Sequence, residues 1–359
     1  MSTASTMSGN DATASTSTPT PPLRFGVAHD FRCPPGSAYS LQDVYDQTLE
    51  QVRLLDRLGL DLVWFSEHHF VEDGYLPNFV PVAGAVAAVT DRIRISTAVS
   101  LVPFAHPLRL AEDLAILDQL SGGRLEYGAG LGYAPHEFRA FGIPISRRVS
   151  LTEECLEVLA LAWSGERFSY EGKRYRFDDV RVTPAPVQPG GPPLWLASTS
   201  PPSVERAVRY RAHLLPQGPR PVVLDAWREQ MRAAGEDPLS RRVGIIREVV
   251  VTDDPERDWP PIREAERYRM KVYGRFFEEA GRGGLAAFAE PDRIPQRPIV
   301  GPVDHCVAEL AAFIIEYGLT DVVSWGSAPG LPPATFTPRM ERFATEVVPR
   351  VRAAVAADG

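Results

Sequence analysis

Cysteine is scarce in this chain. Cys33, Cys155 and Cys306 stand far apart with no CxxC spacing, which excludes a disulfide framework and suggests reduced thiols in a cytoplasmic protein. Cys155 and Cys306 fall within helix-like patterns and read as core residues. No apolar run approaches the roughly 18 residues of a spanning helix. Residues 1–22, rich in Ser, Thr, Ala and Pro, have neither a basic start nor an apolar core. They read as a disordered tail and not as a signal peptide. Basic clusters are also missing: Arg147-Arg148 and Arg241-Arg242 are isolated pairs, and the net charge is −8. A nucleic-acid partner is therefore excluded. No GxGxxG follows the first strand, which counts against a doubly wound open sheet. No strand carries the HxH pair that would put two imidazoles on one face, so a metal-dependent hydrolase is disfavoured and no metal ligand is assigned.

What is present is ordinary for an enzyme with a large core, with 44% hydrophobic and 23% charged residues in a chain of 359. Leu41 to Leu58 carries apolar residues at helical spacing, Gly59 ends it, and Asp61 to Phe65 follows as a short apolar strand leading into Ser66-Glu67-His68-His69-Phe70. The alternation then repeats. Strands are expected at 23–28, 62–65, 93–99, 124–129, 194–197, 213–215, 243–251 and 320–324, each followed by a helix, the last running from 338 to 355. Eight such units make a (β/α)8 TIM barrel. The rhythm breaks near 164–192, where Tyr170-Glu171-Gly172-Lys173 reads as a hairpin turn, and again at 254–300. These are taken as insertions after strands 4 and 7, and residues 23–356 as one barrel domain.

The motifs Trp64 to Phe70, Ser96 to Pro103, Ala105-His106-Pro107 to Arg124, Tyr127 to Gly132, Glu137-Phe138, Phe141-Gly142 and Pro193 to Pro201 together resemble the bacterial luciferase family of flavin-dependent monooxygenases, over residues 23–352. The resemblance implies a barrel binding reduced FMN or a deazaflavin at the carboxyl ends of the strands. It also implies a frequent homodimer. It gives His68 the proton-transfer role, which an imidazole titrating near 6.5 can fill. Glu67 would orient a neighbour. Thr97, Ala98 and Val99 would pack on the isoalloxazine, with Ala98–Val99 as a possible cis peptide. Gly130 would let the cofactor approach the backbone. Ser198, Thr199 and Ser203, before and within the first turn of a helix, would meet the phosphate, with Arg148 or its neighbour Arg147 as the positive partner. The family's light-emitting subunit has a reactive cysteine and a phosphate-binding arginine where this chain has Gly130 and Leu131. That difference argues against light emission and removes one phosphate ligand. His106 reads as a loop-shaping residue, and Tyr133, Trp325 and Phe31 as candidate walls of a substrate pocket. Asp30, Gln217 and Glu248 also stand at strand ends, with nothing in the sequence to choose among them.

The function these features imply is a monooxygenase. Reduced FMN from a separate flavin reductase would react with dioxygen to a C4a-peroxyflavin, which would oxygenate a small organic substrate. A deazaflavin-dependent hydride-transferring oxidoreductase and a non-catalytic flavin-binding protein are the alternatives.

Overall fold

The computed structural model describes residues 21–283 and 297–358. All but the last two residues of the expected tail lie outside them. Eight parallel strands form the ring: β1 Arg24–His29, β2 Leu62–Phe65, β3 Arg94–Thr97, β4 Tyr127–Gly130, β5 Leu194–Ala197, β6 His213–Leu215, β7 Gly244–Ile246 and β8 Asp321–Trp325. One sheet runs β7-β8-β1-β2-β3, and β4-β5-β6 belong to another. Parallel bridges Ile95↔Leu125 and Leu214↔Val243 join the two sheets and close the barrel. The expected architecture is therefore the observed one.

The helices on the outside are α1 Leu41–Leu58, α2 Phe79–Val89, α3 Pro107–Ser121, α4 Arg148–Ala162, α5 Pro201–Arg209 and α6 Pro221–Ala233. They are followed by α7 Pro255–Glu279 and α8 Val303–Tyr317. The ends of α1 show why the sequence makes it a helix. Ser40 and Asp43 form a capping box at its start, and Gly59, at φ 89°, takes the left-handed cap at its end. Val44, Val52 and Leu55 are buried on its inner face. Asp56 then ties α1 to the start of β3 by accepting the N–H groups of Asp91, Arg92 and Ile93 at 2.9, 3.0 and 2.7 Å. Replacing Asp56 with Ala leaves all three N–H groups without their acceptor. We expect a loss of about 1.5–3 kcal/mol, read as a lower urea midpoint.

Strand alternation divides the core. Leu62 and Trp64 face into the barrel with Ala28, Trp195, Leu215 and Val323, whereas Val63 and Phe65 face the helix layer. Below the apolar layer lies a buried ionic one: Glu126 accepts from Arg24, Arg94 and the indole N–H of Trp195, and Asp321 from Arg24 and Arg242.

Several boundaries differ from the sequence reading. The expected strand 243–251 is two pieces. β7 stays in the ring, while Val249–Val251 leaves it to pair with Ile299–Gly301. Strand 93–99 is Arg94–Thr97; the Ala98–Val99 peptide that follows is cis, and Ser100–Leu101 pairs in parallel with the end of β4. The hairpin is present, with 168–171 antiparallel to 176–180. Its turn is held by Glu154, which accepts the N–H groups of Lys173, Arg174 and Tyr175. The largest difference is α7, a 25-residue helix where the sequence shows Pro260, Pro261 and a run of charges. Ile262, Glu266, Arg269 and Phe276 recur at helical spacing on its buried face, so packing sustains a helix that propensity alone opposes. Phe31, expected as a pocket wall, is buried against Tyr45 and Phe65.

His29, at the end of β1, is fully buried with neither ring nitrogen hydrogen-bonded. Burial, and after it the charge of Arg269, lower its pKa to about 3. The unfolded chain takes up that proton near pH 6.5. Stability is thus highest above pH 6.5 and drains as the pH falls toward 3. Urea midpoints should fall between pH 7 and 5, and His29→Gln should flatten that slope.

Candidate active site

The carboxyl ends of the strands form a mouth with two unlike sides. Around β3, β4 and β5 the inward positions are small: Ala98, Gly130 and Ala197, with Val99 beside them. Ala98, Val99 and Ala197 are partly open to solvent. A Cβ on Gly130 would stand 2.3 Å from Val99 Cγ2, so the bare backbone is what leaves the space. A flat ring laid on these positions would meet alanine, glycine and valine, a set that an isoalloxazine would fit. Gly130→Ala should push Val99 into that space and weaken flavin binding several-fold, measured by fluorescence quenching of FMN.

Between the two sides stands His68. β2 stops at Phe65, so residues 66–69 are loop and strand alternation does not set where the two histidines point. Both imidazoles are held, in opposite surroundings. His68 Nδ1 lies 2.9 Å from Glu137 Oε1, which also accepts the His69 backbone N–H at 2.9 Å. A neutral imidazole that donates from Nδ1 to this carboxylate keeps a lone pair on Nε2. Tyr75 and Tyr133 stand edge-on to the imidazole at 5.0 and 5.7 Å, and Tyr273 and Phe276 reach it from α7. Hydrogen bonds link Ser66, Tyr75 and Tyr273 hydroxyls at 2.6 and 2.7 Å. His69 turns the other way, 3.3 Å from Glu67 Oε1 and against Phe104 and Phe141. Glu67 also accepts the Leu101 N–H at 3.0 Å and thus fixes the loop after the cis peptide.

Across the mouth, Asp30 and Glu248 follow β1 and β7, Trp325 ends β8, and α7 packs against them. Arg269, fully buried, lies 3.2 Å from Asp30, 2.8 Å from Glu266 and 3.9 Å over the Trp325 ring, and donates to the Ser327 carbonyl at 2.8 Å. Burial works against the charged guanidinium, but the charges of Asp30, Glu266 and Glu248 outweigh it and raise its pKa. Arg32 is held by Asp73 at 2.7 Å between the rings of Tyr75 and Tyr268. Gln217 is exposed.

A protein-family model described as luciferase-like monooxygenase matches residues 23–321. The chain belongs to that family. Its alkanal monooxygenase alpha chain from Photorhabdus laumondii is 30% identical over 172 residues, 48% of each chain. The oxygenase component of a flavin-dependent trigonelline monooxygenase from Acinetobacter baylyi is 30% identical over 171 residues, 47% of each. The matched segments thus span about half the length of these relatives. The solved monooxygenase RslO1 from Streptomyces bottropensis superposes with a TM-score of 0.75 at 27% identity, covering 91% of this chain and 99% of that one.

Within this luciferase-like barrel, the proposed phosphate loop lies at the mouth end of β5. Ser198 is buried and donates to the Ser203 carbonyl at 3.2 Å, while the Thr199 and Ser200 N–H groups both donate to Ser203 Oγ. Pro201 and Pro202 offer no N–H, so Ser203 already serves the helix start as a cap. Arg148 opens α4 with its guanidinium on the Ile145 carbonyl at 3.0 Å, and α4 is joined to α5 by Glu153–Arg206 at 3.0 Å. Arg147 is exposed. Thr97 is buried, its hydroxyl donating to the Gly128 carbonyl, so it supports the ring-facing backbone without reaching the mouth. His106 caps α3 beside Tyr175 and Phe177 of the hairpin.

Glu137, Tyr75, Tyr273 and Arg269 carry no site signal in the sequence reading. Glu137-Phe138 counts there only as a motif. Glu137 is 69 residues from His68 in the chain, and only the closed ring brings the two together.

Proposed function

We propose that this chain is the oxygenase of a two-component flavin-dependent monooxygenase, taking reduced FMN from a separate reductase and acting, as a homodimer in the cytoplasm, on a small organic substrate. The observation that carries this reading is the His68–Glu137 pair beside an accessible rim of small residues at one barrel mouth. When bound, reduced FMN would supply the activation of dioxygen. Ala98, Val99 and Gly130 would hold the ring, with Thr97 fixing the backbone behind them. Thr199 and Ser200, released from Ser203, would present their N–H groups to the phosphate, and Ser203 and a rotated Arg148 would complete the donor set. His68 Nε2 would take and return a proton, with Glu137 holding the tautomer. Tyr75, Tyr133, Tyr273 and Phe276 would keep water from that nitrogen.

Anaerobic titration with reduced FMN, and separately with reduced deazaflavin, tests the reading, followed by an air pulse. Tight binding of FMN and a transient absorbance distinct from oxidised flavin are expected. Binding of the deazaflavin alone would move the chain to hydride transfer. Binding of FMN with unperturbed oxidation would make it a carrier.

A further inference from the structure

Behind the His68–Glu137 pair lies a second tie with no part in the function proposed above. Glu137 belongs to the short helix Pro135–Ala140. Two other residues of that helix reach Glu279, the last residue of α7. His136 Nδ1 lies 2.8 Å from Glu279 Oε2, and Arg139 donates to Glu279 Oε1 at 2.6 Å. His136 Nε2 lies 3.4 Å from the His69 carbonyl oxygen, while Glu137 accepts the N–H of the same residue. Consecutive side chains of one helix therefore grip both polar groups of the His69 backbone.

The rings follow the same plan. Phe276 stands 5.0 Å from the imidazoles of both His68 and His136, and Phe277 stacks on Tyr133 at 4.8 Å. His68 is thus enclosed by two pieces of chain. Residues 133–140 bring Tyr133 and Glu137 to it, and α7 brings Tyr273 and Phe276. Glu279 joins these two pieces, although His136 is 143 residues away in the chain.

Its two ion pairs are unequal. The Arg139 side chain is 68% exposed, so water and salt screen that pair and the long stem loses entropy in making it. The His136 side chain is 22% exposed and is packed on Phe276. Burial opposes charge on Glu279, but the hydrogen bonds from Arg139 and His136 outweigh it and hold the carboxyl below the usual range. A neutral ring at 136 can donate to Glu279 or to the His69 carbonyl, and an imidazolium can donate to both. Either form can keep the contact with α7.

We infer that Glu279 is a positioning residue that acts through His136, holding the Pro135–Ala140 helix against α7 and thereby keeping the Glu137 carboxylate on His68 Nδ1. The inference rests on the function proposed above in taking His68 as the proton-transfer group. A neutral imidazole has two tautomers, and the partner of one nitrogen decides which prevails. Glu137 is 2.9 Å from Nδ1, so a retreat of about 1 Å would end the hydrogen bond and release the choice.

The test uses the purified full chain without flavin, its histidines labelled with nitrogen-15. Magnetic resonance of the ring nitrogens at about pH 8, above the ordinary imidazole range, gives the ratio of the Nδ1–H to the Nε2–H form of His68. The His68 signals are assigned by their loss in His68→Gln. We expect the Nδ1–H form to dominate in the parent and the ratio to fall about fivefold in Glu279→Ala and in His136→Ala. The double variant should add little to either, because the two residues make one tie. Glu279→Gln, which keeps an acceptor for His136, should restore most of the ratio, and Arg139→Ala should leave it within about twofold. A parent-like ratio in both Glu279→Ala and His136→Ala, or losses that add in the double variant, overturns the inference. Near-ultraviolet circular dichroism checks the fold of each variant, and His136→Ala carries the test if Glu279→Ala does not fold. A structural role alone would not return the tautomer ratio in Glu279→Gln. The spectra need no flavin, so failure of the reduced-FMN titration would strike the proposed function and leave them unchanged.

Discussion

His68→Ala should slow turnover by about 10²- to 10⁴-fold while changing the dissociation constant of reduced FMN by no more than a few-fold. The imidazole is buried between Tyr75, Tyr133, Tyr273 and Phe276, and among the described residues its polar partner is Glu137. Removing it takes away the Nε2 lone pair and leaves Ala98, Val99 and Gly130, the residues proposed to hold the flavin ring, unchanged. Glu137→Gln gives the finer test. The amide keeps the size and one acceptor but can offer Nδ1 an N–H, which favours the wrong tautomer. A loss of about 10- to 100-fold is expected, with flavin binding intact. Stopped-flow reoxidation with and without substrate separates the effects. Equal losses in turnover and flavin affinity for His68→Ala would show that the histidine shapes the pocket and does not move a proton.

The second large effect lies at the opposite end of the barrel. Glu126→Ala should cost about 3 kcal/mol, because it deprives two half-buried arginines and a buried indole N–H of their shared acceptor. Glu126 binds Arg24 at 2.7 Å and Trp195 Nε1 at 2.8 Å, with Arg94 as a third partner. Burial works to raise its pKa, but Arg24 and then Arg94 outweigh it and hold it at about 2. A carboxylate lowered in the fold stabilises it fully above the unfolded value of about 4.3. That contribution is lost as the pH falls from there toward 2. Urea midpoints measured from pH 6 to 3 should therefore decline less steeply in Glu126→Gln than in the parent, from a lower starting point. Parallel slopes would mean the arginines find other partners.

The helices and strands that repeat were legible because each satisfies a local rule. Ser40, Asp43 and Gly59 mark the ends of α1, and short apolar runs mark the strands. The rim was legible in part, since residues at strand ends of a barrel share one mouth and His68, Ala98, Val99 and Gly130 are such residues. α7 was not legible: Pro260 and Pro261 oppose a helix locally, and its stability comes from burying Ile262, Arg269 and Phe276 against a mouth the sequence does not display. Glu248 was noticed at its strand end but could not be distinguished from Gln217. Only packing shows one buried beside Glu266 and the other exposed.

The sequence by itself determined the eight-fold repeat, the family and the strand ends that carry chemistry, because periodicity and caps act over a few residues. The tertiary structure alone decided which groups meet. It set Glu137 on His68, laid Arg269 over Trp325 and buried Glu248 with its Oε1 unbonded. Those outcomes depend on closure of the ring and on the path of α7, and so on contacts between residues far apart in the chain. Their energies come from desolvation and charge at short range, which no local pattern encodes.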